Sequence, residues 1–148
     1  MIHLVLFIAP DAGKQALLLE KTILNGIFGL RIRICRTLQE LGASLSRPVP
    51  SIHERYIHVL FADTRKRLKA LVNLMEAFDD LEILLILPDA KSSTFSIGAR
   101  LRPRFVISKD QRLEEILAVL QKMSGGLETA TSLGLRVHPL LPSKGLCV

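Results

Sequence analysis

The chain alternates short runs of apolar residues with longer segments in which apolar residues recur every three or four positions. The apolar runs have the length of β-strands and comprise residues 3–8, 30–35, 56–62, 81–87 and 105–108. The segments between them have the periodicity of helices. Strands that alternate with helices predict a parallel sheet with right-handed crossovers. The pattern therefore predicts one doubly wound α/β domain over residues 1–124.

Two of the predicted helices have a well-defined apolar face. One begins at Asp63 or Thr64, and its apolar face comprises Leu68, Leu71, Val72, Met75 and Phe78. The other is the last helix, residues 110–123, whose inward side chains are Leu113, Ile116, Leu117, Leu120 and Met123. We expect Leu71 and Leu117 to be buried against opposite faces of the sheet.

The first helix and the second strand have different patterns. The helix opens at Pro10 and Asp11 and is apolar almost all round, so it is either deeply buried or faces a second subunit. Residues 30–35 alternate strictly between apolar and other residues, with Arg31 and Arg33 on the same side. This alternation predicts a half-exposed strand at the edge of the sheet.

The two ends of the chain indicate its setting. After residue 124 the periodicity ends, and residues 125–148 are interpreted as a C-terminal tail. No uncharged apolar stretch approaches the roughly 20 residues that a helix needs to cross a bilayer. Residues 1–9 contain no Lys or Arg and are soon followed by Asp11, which argues against a signal peptide. We expect a cytoplasmic protein without membrane contact.

The formal net charge of +6 is concentrated in two regions. Basic residues outnumber acidic ones over residues 31–69, and a second cluster comprises Arg100, Arg102, Arg104, Lys109 and Arg112. Such clusters bind phosphates or an acidic protein surface, or they form a solvated face. The chain has one Tyr and no Trp, which argues against stacking on single-stranded nucleic acid.

Sequence signatures of common enzymes are absent. The sequence contains no GxSxG, CxxC or HExxH motif, and its histidines, at positions 3, 53, 58 and 138, lack the spacing of metal ligands. We therefore expect no enzymatic activity and no cofactor, and we interpret the histidines as ordinary strand or loop residues.

The second half of the domain carries a resemblance to a known family. Residues 83–89 read ILLILPD, residues 104–110 read RFVISKD, and an amphipathic helix follows. In this the chain resembles the C-terminal half of a response-regulator receiver domain. The resemblance implies a flavodoxin-like, five-stranded parallel sheet in the order 2-1-3-4-5, with its site at the carboxyl ends of the strands.

The resemblance also assigns candidate site residues. In receiver domains, acidic residues after strands one and three hold Mg²⁺, and a Ser/Thr after strand four and a Lys after strand five contact the phosphoryl group. The resemblance implies Asp63 as the phosphoacceptor, Lys109 as the phosphate-contacting residue and Asp11 as the remaining member of the acidic pair. Leu87, however, stands at the Ser/Thr position. The loop after Asp63 is also short and runs directly into Arg65. Such departures are typical of a degenerate, or pseudo-receiver, domain.

We therefore interpret the chain as a non-catalytic, receiver-like signalling module that binds another signalling protein or a second copy of itself. The resemblance implies an interface on helix four, strand five and helix five, which would carry Arg100, Arg102, Arg104 and Arg112. Two alternatives remain open. One is a phospho-accepting response regulator that uses Asp63 and Mg²⁺, with Asp11 as a second metal ligand. The other is a basic domain that contacts the phosphates of duplex nucleic acid through residues 65–69.

Overall fold

The computed structural model describes residues 2–46 and 54–125, which form a sheet of five parallel strands in the order β2-β1-β3-β4-β5. The strands are β1 (Ile2–Phe7), β2 (Arg31–Cys35), β3 (Arg55–Phe61), β4 (Glu82–Leu87) and β5 (Phe105–Ser108). The helices are α1 (Lys14–Gly26), α2 (Leu38–Leu45), α3 (Arg65–Met75), α4 (Ser92–Ala99) and α5 (Leu113–Met123). The predicted α/β class, strand order and flavodoxin-like topology are confirmed.

Helices cover both faces of the sheet, which explains the nearly continuous apolar strands. Along β1, Leu4 and Leu6 belong to the core shared with α1 and α5, whereas Val5 and Phe7 belong to the core shared with α2 and α3. β2 lies at the edge, and its side chains alternate between exposed and partly buried positions as far as Cys35. The prediction of a half-exposed edge strand is therefore confirmed.

The caps of α2 and α3 affect the site that these helices border. The hydroxyl oxygens of Thr37 and Thr64 accept the backbone N–H groups of Glu40 and Arg67, each at 3.1 Å. An N-cap side chain of this kind takes one of the helix's unsatisfied donors. Because Thr64 rather than Asp63 caps α3, the carboxylate of Asp63 remains available for other contacts.

The face predicted for α5 is partly wrong. The side chains buried on the sheet include Ile116, Val119 and Leu120, whereas Leu117 is only partly buried. Leu117 packs against this core beside α1, since a Cβ placed on Gly26 would come within 2.9 Å of its Cδ2. Periodicity alone did not distinguish the helix side that faces the sheet from the side that faces a neighbouring helix.

The first helix also differs from its prediction. It begins at Lys14, and residues 10–12 form a turn. Its apolar residues divide into a buried face and an exposed set. The exposed set consists of Leu17, Leu18 and Leu24, together with Phe28 just beyond the helix. Phe78, predicted on the α3 face, lies beyond the end of α3 and is also exposed.

Some of the sequence predictions concern segments without described structure. The predicted tail lies outside the described residues from position 126 onward. Within the described ranges, none of the helices has the length and apolar character needed to span a membrane.

Candidate functional site

The residues that the resemblance singled out lie at the carboxyl edge of the sheet. Asp11 follows β1, Asp63 follows β3 and Lys109 follows β5, and the carboxyl ends of parallel strands share one edge. β1 and β3 are neighbours from which the chain continues in opposite directions. Ligands of open α/β sheets bind at such a switch point.

Lys109 and Asp63 are in contact, although β4 lies between β3 and β5 in the sheet. The ammonium Nζ of Lys109 lies 3.4 Å from the backbone carbonyl oxygen of Asp63 and donates to it. The side-chain amide of Gln15 in turn donates to the backbone carbonyl of Lys109. These two contacts link the first turn of α1 with the segments that follow β3 and β5.

The central feature of this surface is the guanidinium of Arg67, which lies between the two predicted carboxylates. Its Nη1 and Nη2 donate to Oδ1 of Asp11 at 3.2 and 3.1 Å. Its Nε lies 3.2 Å from Oδ1 of Asp63. Arg67 is therefore the cation that bridges Asp11 and Asp63.

The two carboxylates differ in their surroundings. The side chain of Asp11 is 76% exposed, whereas that of Asp63 is 11% exposed. Oδ1 of Asp63 is buried and accepts no hydrogen bond of normal geometry, so its contact with Arg67 is an ion pair without a directed N–H. Asp63 thus depends on the charge of Arg67, because a buried carboxylate without a counter-charge is strongly disfavoured.

These side chains do not fit Mg²⁺. The space between Asp11 and Asp63 is taken by a positively charged group, which repels a divalent cation. Over the described part of the chain, no group of three or more His, Cys, Asp or Glu side chains is arranged to hold a metal ion. Two carboxylates shared with an arginine provide little of the oxygen-rich coordination that Mg²⁺ requires.

The corner after β4 contains hydroxyl groups that the sequence reasoning did not single out. Leu87 ends β4 without a hydroxyl, but α4 begins nearby and contributes Ser93 and the fully buried Thr94. Nη2 of Arg65 donates to both hydroxyl oxygens at 2.7 Å. A hydrogen bond from Thr94, aided by the backbone N–H of Lys91, lowers the pKa of Asp89. Thr94 is therefore already engaged by protein groups.

The four arginines predicted at an interface lie at two edges of the domain. Because α4 runs back from the carboxyl edge, the turn between α4 and β5 lies at the amino edge, and it carries Arg100, Arg102 and Arg104. Arg112 precedes α5 at the carboxyl edge. The structure therefore separates Arg112 from the other three.

Each of these arginines has a carboxylate partner. The pairs are Arg100–Glu76 at 2.7 Å, Arg102–Asp79 at 3.1 Å, Arg104–Glu82 at 3.3 Å and Arg112–Glu115 at 3.7 Å. The arginine side chains remain more than half exposed, and exposed ion pairs contribute little to stability. Their role as an interface stays a prediction.

Arg67 is the site residue that sequence reasoning missed, because it was grouped with the solvated basic residues of α3. A signal was present, since Arg67 follows Asp63 by four positions. On a helix, an acid and a base at this spacing lie on the same side. The contact with Asp11, 56 residues away in sequence, has no such local signal.

Comparison of the chain with models of protein families, with curated proteins and with solved structures gave no match in any of the three. The receiver-like interpretation therefore rests on the strand order and on the residues at the carboxyl edge.

Proposed function

We propose that this chain is a receiver-like signalling module that acts in the cytoplasm by binding another protein and not by accepting a phosphoryl group. The observation that carries the proposal is the guanidinium of Arg67 between Asp11 and Asp63. It supplies permanently the positive charge that a metal ion would bring to a working acceptor site. Leu87, which offers no hydroxyl at the end of β4, is a second departure in the same direction.

Phosphoryl transfer to Asp63 would require the arrangement at this edge to be replaced. An incoming phosphoryl group needs a metal ion to neutralise its oxygens, and Arg67 repels that ion. The carboxylate of Asp63 is also largely buried, which restricts attack on a donor molecule. The ion pairs of Arg67 with Asp11 and Asp63 stabilise one conformation of the carboxyl edge. A single conformation suits a module whose binding surface does not change with phosphorylation.

Removal of Arg67 is expected to create a cation site at Asp11 and Asp63, where Arg67 lies in the wild-type chain. The two carboxylates would then lose the guanidinium that both contact. A unit charge about 4 Å away contributes roughly 4 kcal/mol of interaction energy at an effective dielectric constant of 20. We expect Arg67→Ala to bind Mn²⁺ at least about tenfold more tightly than wild type. Paramagnetic broadening of NMR signals from residues 11 and 63 measures this change.

Two variants control the metal experiment. Lys69→Ala removes a positive charge from the same helix outside the site, and it should behave as wild type. Asp63→Asn in the Arg67→Ala background should abolish the gained affinity. Saturable binding of Mg²⁺ and beryllofluoride to the wild-type chain would contradict the proposal and favour the phospho-accepting alternative.

The exposed apolar side chains of α1 supply a surface for the proposed protein contact. Leu17, Leu18 and Leu24 are each 43% or more exposed, and Phe28 is 82% exposed. Soluble monomers rarely expose a contiguous group of large apolar side chains without a binding role. We refer to these four residues as the α1 patch.

Charge around the α1 patch favours a partner that carries carboxylates. Lys14 and Lys21 are exposed on the same helix, whereas its acidic residue, Glu20, is paired with Arg36 at 2.6 Å. Two copies of the chain joined through this patch would bring like charges together, and each copy has a net charge of +6. We therefore assign the patch to a different protein whose apolar stripe is flanked by acidic residues.

A defined peptide tests this assignment. A helical peptide with a leucine stripe flanked by glutamates is expected to bind, and the same stripe flanked by lysines should bind at least about tenfold more weakly because of the surrounding lysines. Phe28→Ser should weaken binding by about tenfold or more, since burial of a phenylalanine contributes roughly 1.5–3 kcal/mol. Fluorescence anisotropy of the labelled peptides gives both ratios.

The chain provides a matched control for this substitution. Phe78 is also exposed but lies away from α1, so Phe78→Ser should leave the affinity unchanged. The double variant Arg102→Glu, Arg104→Glu tests the arginine surface in the same assay. Equal affinity for both peptides, or a dimer in sedimentation that Phe28→Ser dissociates, would overturn the assignment of a separate acidic partner.

A further inference from the structure

A cleft of about 360 Å³ opens at the carboxyl edge, beside the pair formed by Asp11 and Arg67. It lies between the beginnings of α2 and α3 and above the ends of β1 and β2. Its volume is at the lower end of the range of about 300–1,000 Å³ that is usual for small-molecule sites. The cleft therefore suits a small ligand.

Two helices direct their positive ends toward this cleft. Thr37 and Leu38 at the start of α2, and Thr64 and Lys66 at the start of α3, all line it. The first N–H groups of a helix have no partner within the helix, and only those of Glu40 and Arg67 are taken by the threonine caps. The remaining donors and the two helix dipoles favour an anion.

The charged side chains of the cleft also favour an anion. Arg36, Lys66 and Arg67 line the cleft, against the single carboxylate of Asp11. Arg36 is paired with Glu20, and Arg67 is paired with Asp11 and Asp63. Lys66 forms no ion pair within the described residues, so its ammonium is the group most available to a ligand.

The rest of the lining is apolar. Phe7, Ala9, Pro10, Leu38 and Ala70 form this part of the cleft. Inorganic phosphate would leave these side chains uncovered, whereas an organic group attached to the phosphate would bury them, which is favourable. The positively charged rim and the apolar lining therefore call for different parts of one ligand.

We propose that this cleft binds a phosphate monoester no larger than a mononucleotide, with its phosphate on Lys66 and the helix N-termini and its organic group on the apolar lining. A bound phosphate would also compete with Asp11 and Asp63 for Arg67. Ligand binding in the cleft would thereby change the contacts of Asp11 and Asp63, the residues at the positions of the receiver site, without any covalent step. The cleft proposal is tested by direct binding, so its outcome does not depend on metal binding or peptide docking.

The probes are adenosine 5′-monophosphate, ribose 5-phosphate, inorganic phosphate and adenosine, titrated into the full chain by calorimetry at low salt. We expect saturable binding of the two esters, weaker binding of inorganic phosphate and no binding of adenosine. Affinity for the esters should fall as salt is raised, because the phosphate contacts are electrostatic. Signals of the residues that line the cleft should shift in NMR spectra on addition of the esters.

Lys66 and Lys69 form a matched pair for this experiment, since both are exposed on α3 but only Lys66 lines the cleft. Lys66→Ala should weaken ester binding by about tenfold, the factor typical of a lost hydrogen bond to a charged group. Lys69→Ala, which changes the net charge equally, should change it by less than about twofold. Unchanged thermal midpoints for both variants would show that folding is retained.

Four results would overturn the proposal. Adenosine that binds as tightly as its monophosphate would remove the role of the phosphate. Inorganic phosphate that binds as tightly as the esters would remove the role of the organic group. Equal effects of Lys66→Ala and Lys69→Ala, or no saturable binding of either ester, would show that the cleft is not the site.

Discussion

Leu71→Ala is expected to lower the free energy of unfolding by about 2–5 kcal/mol, the usual cost of truncating a fully buried leucine. Leu71 is 0% exposed and lies on α3 in the core that α2, α3 and α4 share with the sheet. Truncation removes three carbon atoms, and the close-packed surroundings refill the cavity only in part. Urea unfolding followed by circular dichroism measures the change.

Leu117→Ala is the comparison for this substitution. Leu117 is only partly buried and packs against the core beside α1, so its truncation should cost less, about 1–2 kcal/mol. In both variants the free energy of unfolding should depend on urea concentration with the same slope as in wild type, since the surface exposed on unfolding is nearly unchanged. Equal costs at the two positions would mean that the helix faces described above are incorrect.

Acidification from pH 6.5 to pH 4 is expected to destabilise the fold by about 3 kcal/mol through His58 alone. His58 lies in the middle of β3 and is 4% exposed, and burial lowers the pKa of its imidazole from 6.5 to about 4. In this window the unfolded chain binds a proton that the folded chain does not, so stability rises with pH. Above about pH 7.5 the imidazole is largely neutral in both states, so it contributes little further pH dependence.

The difference between two variants isolates this effect from the titration of the carboxylates. His58→Leu should remove the His58 contribution between pH 6.5 and pH 4, and it also eliminates a buried Nδ1 that has no hydrogen-bond partner. His3→Gln should retain the fall in stability that His58 causes, because it leaves the buried imidazole of His58 in place. If unfolding of wild type and His58→Leu showed the same pH dependence, the imidazole of His58 would not be held neutral by burial.

The α/β class and the carboxyl edge of the sheet followed from the alternation of strands and helices along the chain, whereas the strand order 2-1-3-4-5 was implied by the resemblance to receiver domains. Five apolar runs separated by helical segments leave few arrangements open, because crossovers between parallel strands are right-handed and short. Thr37 could be identified as a cap from its spacing to Glu40, since both residues lie in one helical turn. Asp11, Asp63 and Lys109 each follow a strand. Because these strands are parallel, the three residues were expected at one edge of the sheet.

The contacts between these residues were decided only by the tertiary structure. The contact of Arg67 with Asp11 joins residues 56 positions apart, and no local pattern indicates that contact. The basic residues at positions 100, 102 and 104 formed an unpaired cluster in the sequence, yet the fold brings them to carboxylates 22–24 positions away.

Local periodicity reports which side of a helix is apolar, because backbone geometry fixes it over a few residues. That side can face the sheet, another helix or solvent, and which of these it faces depends on how distant segments pack together. Packing therefore decided that Leu117 contacts α1 and that Phe28 remains exposed.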